Sequence, residues 1–134
     1  MTEDAEQLIA PWGNLDTQFF WDAAARGVLV GQRCRPCRDL RHPPQPMCPS
    51  CTSMDWDEEV ISGVGSIHSF TIHHYPDLVG FALPYGVVLA DLDVGVRIVA
   101  RWIGATDDLS IGQRVEVIMA ELAPGVWLPT AEPQ

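Results

Sequence analysis

The 134-residue chain is expected to fold as a small, mainly β protein in two parts: a short helix leading into a cysteine-clipped ribbon, then a closed barrel of five strands. Three observations carry this expectation. All four cysteines fall in two Cys-x-x-Cys pairs, Cys34-Arg-Pro-Cys37 and Cys48-Pro-Ser-Cys51. From Asp55 onward the pattern becomes one of short strands punctuated by turn residues. With 47% hydrophobic residues, a chain of this size buries one modest core and a small satellite module, and a large independent catalytic domain does not fit.

Residues 1–28 read as a tail and a helix. The first fourteen residues look frayed. Asn14-Leu15-Asp16-Thr17 then supplies capping oxygens, and Gln18 to Arg26 is helix-compatible with Gly27 placed to end it, so the spacing predicts a helix over about 16–26. Three turns are too few to be stable alone, so Phe19, Phe20 and Trp21 must pack on the chain's own core or on a partner.

Residues 29–56 read as the ribbon. Val28 to Arg33 enters the first cysteine turn, Asp39-Leu40-Arg41-His42 leaves it, and Pro43-Pro44-Gln45-Pro46 leads to the second. The prolines interrupt pairing along the returning strand, which predicts a small hairpin clipped by metal rather than a full sheet. Two residues between thiols let a tight turn aim both sulfurs at one centre, and two such turns complete the tetrahedron that zinc prefers. Cys34, Cys37, Cys48 and Cys51 are therefore the expected ligands of a structural zinc ion, a closed site with no position left for chemistry. Iron is the rival metal, since soft thiolates suit both. His42 is expected to be a surface or packing residue rather than a ligand. The acidic start, Met1-Thr2-Glu3-Asp4-Ala5-Glu6, lacks the apolar centre of a secretory signal, so a reduced, cytoplasmic site is expected.

Residues 57–130 read as the barrel. Val64, Ser66, His68, Phe70 and Ile72 share one parity against Ile67, Ser69, Thr71 and His73, so the long first strand should be half buried. Tyr85 to Leu92 is nearly all apolar and reads as a central strand. Asp93-Val94-Gly95 turns the chain into Val96 to Trp102, whose other face carries Arg97 and Arg101. Two short strands, Arg114 to Met119 and Gly125 to Leu128, follow a polar loop. Closing these five strands removes their edges. Gly63-Val64-Gly65 suits a bulge or a tight barrel bend.

Charge and motifs exclude several classes. The formal net charge is −10, with no lysine. Five of the arginines, Arg26, Arg33, Arg35, Arg38 and Arg41, crowd the first cysteine pair, as a solvated surface or as an anion or partner contact. An acidic chain with one such patch makes a poor general nucleic-acid binder, because that affinity rests on neutralising many phosphates. No apolar run reaches the length of a membrane helix. There is no Gly-x-Ser-x-Gly turn and no phosphate loop. His73 and His74 are neighbours and diverge, and His68 would meet Asp91 only if their strands were adjacent. The segment His74 to Tyr85 is more apolar than a water-facing loop needs to be, with Leu78, Val79, Phe81, Leu83 and Tyr85, and is the leading candidate for a functional surface.

The ordered set Phe20-Trp21-Asp22-Ala23, Cys34-x-x-Cys37, Leu40-Arg41-His42-Pro43-Pro44, Cys48-Pro49-x-Cys51, Gly63-x-Gly65-Ser66-Ile67, Pro84-Tyr85 and Leu89-x-Asp91-Leu92 is diagnostic in combination. It resembles the zinc-ribbon plus OB-fold family of acyl-CoA-associated proteins, domain of unknown function thirty-five, from about Asp16 to Leu128. The resemblance implies a rubredoxin-like ribbon and an OB-fold, and a non-catalytic subunit working beside a thiolase-like acyltransferase or aldolase, stabilising it and helping to shape its acyl-CoA channel. Phe20, Trp21, Phe81, Leu83 and Tyr85 are the expected contacts to that partner or to acyl-CoA. One departure is visible: Arg38 and Thr52, rather than glycine, follow the two cysteine pairs. The alternatives are a ribbon and OB module that binds single-stranded nucleic acid, and a small iron electron carrier.

Overall fold

The computed structural model describes residues 8–77 and 81–134. Helix α1 spans Gln18–Ala24, shorter at both ends than the sequence predicts. The reason lies upstream: the Asn14 Oδ1 accepts the N–H groups of Asp16 at 2.9 Å and Thr17 at 3.0 Å, holding these residues in a turn instead of the first helical turn. At the other end Gly27 adopts φ 75°, and Val28 and Gly27 donate to the carbonyls of Ala23 and Ala24 at 3.0 and 2.8 Å. This left-handed closure is the one expected of a glycine after a helix.

The ribbon is more than a hairpin. Strand β1, Val30–Cys34, pairs with the two-residue β2, Leu40–Arg41, as the prolines require, but also with β3, Trp56–Val60, through five antiparallel positions from Val30↔Val60 to Cys34↔Trp56. The result is a three-stranded sheet in the order β2-β1-β3. Residues 57–60, expected in the barrel, thus pair with the ribbon. Their acidic, non-alternating sequence Asp57-Glu58-Glu59 hid the strand.

The remaining strands, β4 (Val64–His73), β5 (Tyr85–Leu92), β6 (Arg97–Trp102), β7 (Arg114–Ala123) and β8 (Val126–Pro133), close a barrel in the order β4-β5-β6-β8-β7, with β6 and β8 parallel. That order is the five-stranded OB-fold. The last two strands run beyond the predicted ends because each continues to find a partner along the other, from Val115↔Pro133 to Ala123↔Val126.

The parity problem of β4 is resolved by a bulge. Register shifts between Ile67 and Ser69, so His68 is the extra residue: Ile67 opposes Ala90, while Phe70 and Ile72 oppose Val88 and Gly86. All three β5 partners are buried. Ile67 at 1% exposure and the partly buried Phe70 and Ile72 therefore face one interior despite opposite parity. Closure also needs glycine at Gly63 and Gly65, where a Cβ would collide with the backbone carbonyls of Val117 and Asp91.

One core serves both modules. Ala23, Ala24, Leu29, Val30 and Ile61 are buried in the same cluster as the barrel residues Val88, Ile98, Val115 and Val117. Phe20 belongs to it as well, at 4% exposure. Expected as a partner contact, its ring packs within the chain's own core, edge-on to Trp21 at 5.0 Å and against His42 at 5.1 Å, and borders the cleft that Trp21 lines.

A four-thiolate centre and an apolar outer sheet face

The two cysteine pairs fold into matching knuckles. In the first, Cys34 N–H donates to the Asp39 carbonyl at 2.8 Å and Arg38 N–H to that of Cys34 at 3.0 Å; in the second, Cys48 N–H donates to Ser53 and Thr52 N–H to Cys48, both at 2.9 Å. Arg38 and Thr52 both take φ 67°, so the turn usually made with glycine is made without it.

The four sulfurs converge, all lying within 4.8 Å of one another. Cys34 Sγ is 3.5 Å from Cys51 Sγ, and Cys37 Sγ is 3.6 Å from Cys48 Sγ. A tetrahedral ion with bonds of about 2.3 Å would set its sulfurs about 3.8 Å apart, so the geometry fits a four-coordinate zinc ion held by Cys34, Cys37, Cys48 and Cys51. The thiols do not titrate alike. The N–H of Cys51 is the main cause that pulls Cys48 down to about 6. At Cys37 the N–H of Asp39 favours the thiolate, but burial and the other three thiols outweigh it and push the group up to about 12. A bound cation removes this conflict, and with four thiolates it is closed to substrate.

His42 stays out of that set, in the cleft between α1 and the barrel, where burial pushes its pKa down to about 4.

The arginine patch is largely neutralised by the strand the sequence concealed. Arg33 grips Glu59 through two nitrogens, at 3.2 and 2.6 Å; Arg35 holds Asp57 at 2.8 Å, and Arg26 reaches Glu58 at 3.4 Å. Arg41 is buried and donates twice to the Gln45 carbonyl. Charges that sit apart in sequence are thus neighbours across β1 and β3.

The other predicted contacts cluster on the outer face of β5, β6 and β8. Phe81 stacks on Tyr85, with ring centroids 5.0 Å apart and planes at 24°, and the His73 ring also packs against Tyr85, at 5.1 Å. These two rings line a cleft of about 220 Å³ with Val87, Val99, Arg101 and Pro129. Trp21 lines a larger apolar cleft of about 410 Å³ that shares Val99 and Pro129 with the first and adds Pro43, Pro44 and Leu89. Leu83 is half-buried. Leu78 and Val79 lie outside the described residues.

Several exposed groups were not singled out by the sequence. Val99 is 60% exposed at the junction of the clefts. Ahead of α1, Ile9, Trp12 and Leu15 are 78%, 81% and 98% exposed, giving the segment read as frayed an apolar surface. A hydropathy pattern would have flagged Ile9 and Trp12, but not their exposure.

The strands of His68 and Asp91 are adjacent after all. His68 Nδ1 lies 3.2 Å from Asp91 Oδ2, and Arg97 Nε donates to Asp91 Oδ1 at 2.5 Å. Hydrogen bonding from Arg97, then its charge, then His68 hold the Asp91 carboxyl below its ordinary value. The three groups are each about half exposed, and the cluster borders a shallow surface depression.

Fold and site together define a protein of two modules, a four-thiolate ribbon fused through a shared core to an OB barrel. Family models agree in detail: residues 21–57 match the rubredoxin-like zinc ribbon domain of ChsH2 and residues 58–119 its C-terminal OB-fold domain. The solved Ltp2-ChsH2(DUF35) aldolase superposes with a TM-score of 0.86 at 40% identity, over 92% of this chain and 98% of that one. The chain belongs to the DUF35 family, in its ChsH2-like zinc-ribbon and OB-fold form. Among curated relatives, the probable enoyl-CoA hydratase alpha subunit of Thermomonospora curvata is 40% identical over 90% of this chain, and the benzoylsuccinyl-CoA thiolase subunit BbsA of Thauera aromatica is 30% identical over 66%. The chain spans 38% of the length of the first and 61% of the second.

Proposed function

We propose that this chain is a non-catalytic subunit of a thiolase-like acyltransferase or aldolase acting on acyl-CoA in lipid or steroid side-chain metabolism, stabilising that enzyme and helping to shape its acyl-CoA channel in the cytoplasm. The observation that carries this reading is the continuous apolar face from Trp21 and Pro43 through Val99 to Tyr85 and Phe81. A soluble chain seldom leaves such a surface to water, and its position on the middle strands of an OB barrel is where these folds receive ligands. Relatives that are subunits of a CoA-ester hydratase and of a CoA-ester thiolase, and a solved aldolase of the same architecture, support the assignment of the partner class. The four-thiolate centre serves the fold.

The nucleic-acid alternative needs a basic groove beside stacking rings. Arg26, Arg33 and Arg35 are paired with acids on β3, and Arg97 with Asp91, which leaves Arg101 as the cation on the aromatic face. One arginine neutralises too few phosphates.

Co-expression with a thiolase-like protein from the same organism tests the proposal. The two chains should co-purify as a hetero-oligomer with one zinc per copy of this chain; failure to associate at micromolar concentrations would refute it.

A further inference from the structure

Arg101 differs from the other arginines of the barrel. Arg97 and Arg114 hold Asp91 and Asp93, whereas Arg101 forms no ion pair among the described residues. Its Nε is buried without a hydrogen-bond partner. The side chain projects from β6, opposite Val87 on β5 and Thr130 on β8, into the outer cleft between the Phe81–Tyr85 stack and Leu128 and Pro129. Asp107 lines the adjoining cleft of about 440 Å³ and does not reach it. Burial pulls the guanidinium below its ordinary value without making it neutral.

A half-buried cation with no anion is costly, and arginine's fork matches a carboxylate. Two kinds of occupant could supply one: a small anionic ligand or an acidic residue of another protein. The surroundings favour the protein. A small-molecule site encloses most of its ligand, but here the apolar surface continues from Arg101 past the exposed Val99 and the half-buried Leu89 to Trp21 on the other module. Aromatic rings and one arginine at the centre of an apolar strip are the composition of an interface core.

We propose, on the reading that the chain serves a thiolase-like partner, that the outer face of β5, β6 and β8 is the docking surface and that Arg101 there receives an aspartate or glutamate of the partner, sealed by Tyr85, Val99 and Pro129. The free chain then carries an electrostatic defect that binding repairs. This predicts opposite signs for one substitution in the free and bound protein, which a residue with a merely internal structural role would not show.

The test compares the zinc-loaded full chain with Arg101→Leu, Arg101→Lys and Val99→Glu. Affinity for a thiolase-like protein that co-purifies with the chain is measured by calorimetry, alongside the Tm of each free chain. Arg101→Leu should weaken binding about 10- to 100-fold while leaving the free chain's Tm unchanged or higher. Arg101→Lys should fall between it and the unsubstituted chain, and Val99→Glu should weaken binding without lowering zinc content. Affinities within twofold of the unsubstituted chain for both Arg101→Leu and Val99→Glu would overturn the proposal. So would a fall in Tm that parallels the loss of binding, or loss of free CoA binding with partner affinity intact. If the unsubstituted chain fails to bind, the partner reading falls and this inference with it, whereas binding that ignores Arg101 and Val99 leaves the partner reading standing.

Discussion

Arg38 and Thr52 share one backbone conformation, φ 67° at each, at equivalent positions one residue past the second cysteine of each knuckle. A left-handed conformation costs an ordinary residue about 1–2 kcal/mol, and more for a β-branched side chain such as Thr52. What holds both residues there is the turn that aims the sulfurs: Arg38 N–H reaches the Cys34 carbonyl and Thr52 N–H that of Cys48. Coordination of the metal secures the turn that glycine makes easily elsewhere.

Thr52→Gly should therefore raise the thermal stability of the zinc-loaded chain, by up to about 1 kcal/mol once the extra freedom of the unfolded glycine is subtracted. Arg38→Gly should give less, because Arg38 is not β-branched. Thermal unfolding at fixed zinc concentration checks the order. Destabilisation by both would mean that the side chains, not the backbone, matter.

Cys48→Ser should lose zinc and open the ribbon while the barrel stays folded. Metal ligation in small zinc domains is worth on the order of 10 kcal/mol, and the strands β1 and β2 have only β3 and the shared core besides. Elemental analysis should find one zinc in the unsubstituted chain and less than one in the variant, with hydrogen exchange faster over 30–60 and unchanged in β5 and β6. Iron in the native protein, or a well-folded metal-free one, would contradict this.

His42 gives the chain a specific acid sensitivity. Burial lowers its pKa from 6.5 to about 4, so the folded state keeps the ring neutral where the unfolded chain would protonate it. Stability is complete above pH 6.5 and falls as the pH drops towards 4, by up to about 3 kcal/mol at 1.36 kcal/mol per unit. His42→Phe should remove this component of the pH profile. A profile identical to that of the native chain from 6.5 to 4 would show that the ring is hydrated. Below that window Asp91 and Asp93, held low chiefly by hydrogen bonds from Arg97 and Arg114, add their own loss.

Phe20 and Tyr85 should separate stability from association. Phe20 is buried in the common core, so Phe20→Ala should cost the free chain about 3–5 kcal/mol. Tyr85 stands half-buried beside Phe81 on the outer face, so Tyr85→Ala should leave the free chain folded and weaken the complex by about 1–3 kcal/mol. Chemical denaturation and calorimetric binding report the two quantities independently.

The ribbon ligands and the succession of barrel strands along the chain could be read from spacing because each depends on residues close in the chain. What escaped depends on partners far away. Residues 57–60 read as part of the barrel until Arg33 and Arg35 are seen across them, and the bulge at His68 shows only in the register against β5. Phe20 and Trp21 are adjacent aromatics of a short helix, and nothing local tells which one the core takes. Arg101 lies on the same strand and at the same parity as Arg97. What sets it apart is that no carboxylate among the described residues pairs with it, visible once the barrel closes.

The central claim, that this chain acts through another enzyme, is tested most directly by acyl-CoA turnover measured for the thiolase-like partner alone, for this chain alone, and for the two titrated together. The account predicts no turnover by this chain, a rise in the partner's activity or lifetime that saturates at a fixed stoichiometry, and no appreciable binding of single-stranded DNA at physiological salt. Turnover by the isolated chain, or tight, salt-sensitive DNA binding with no effect on the partner, would contradict it.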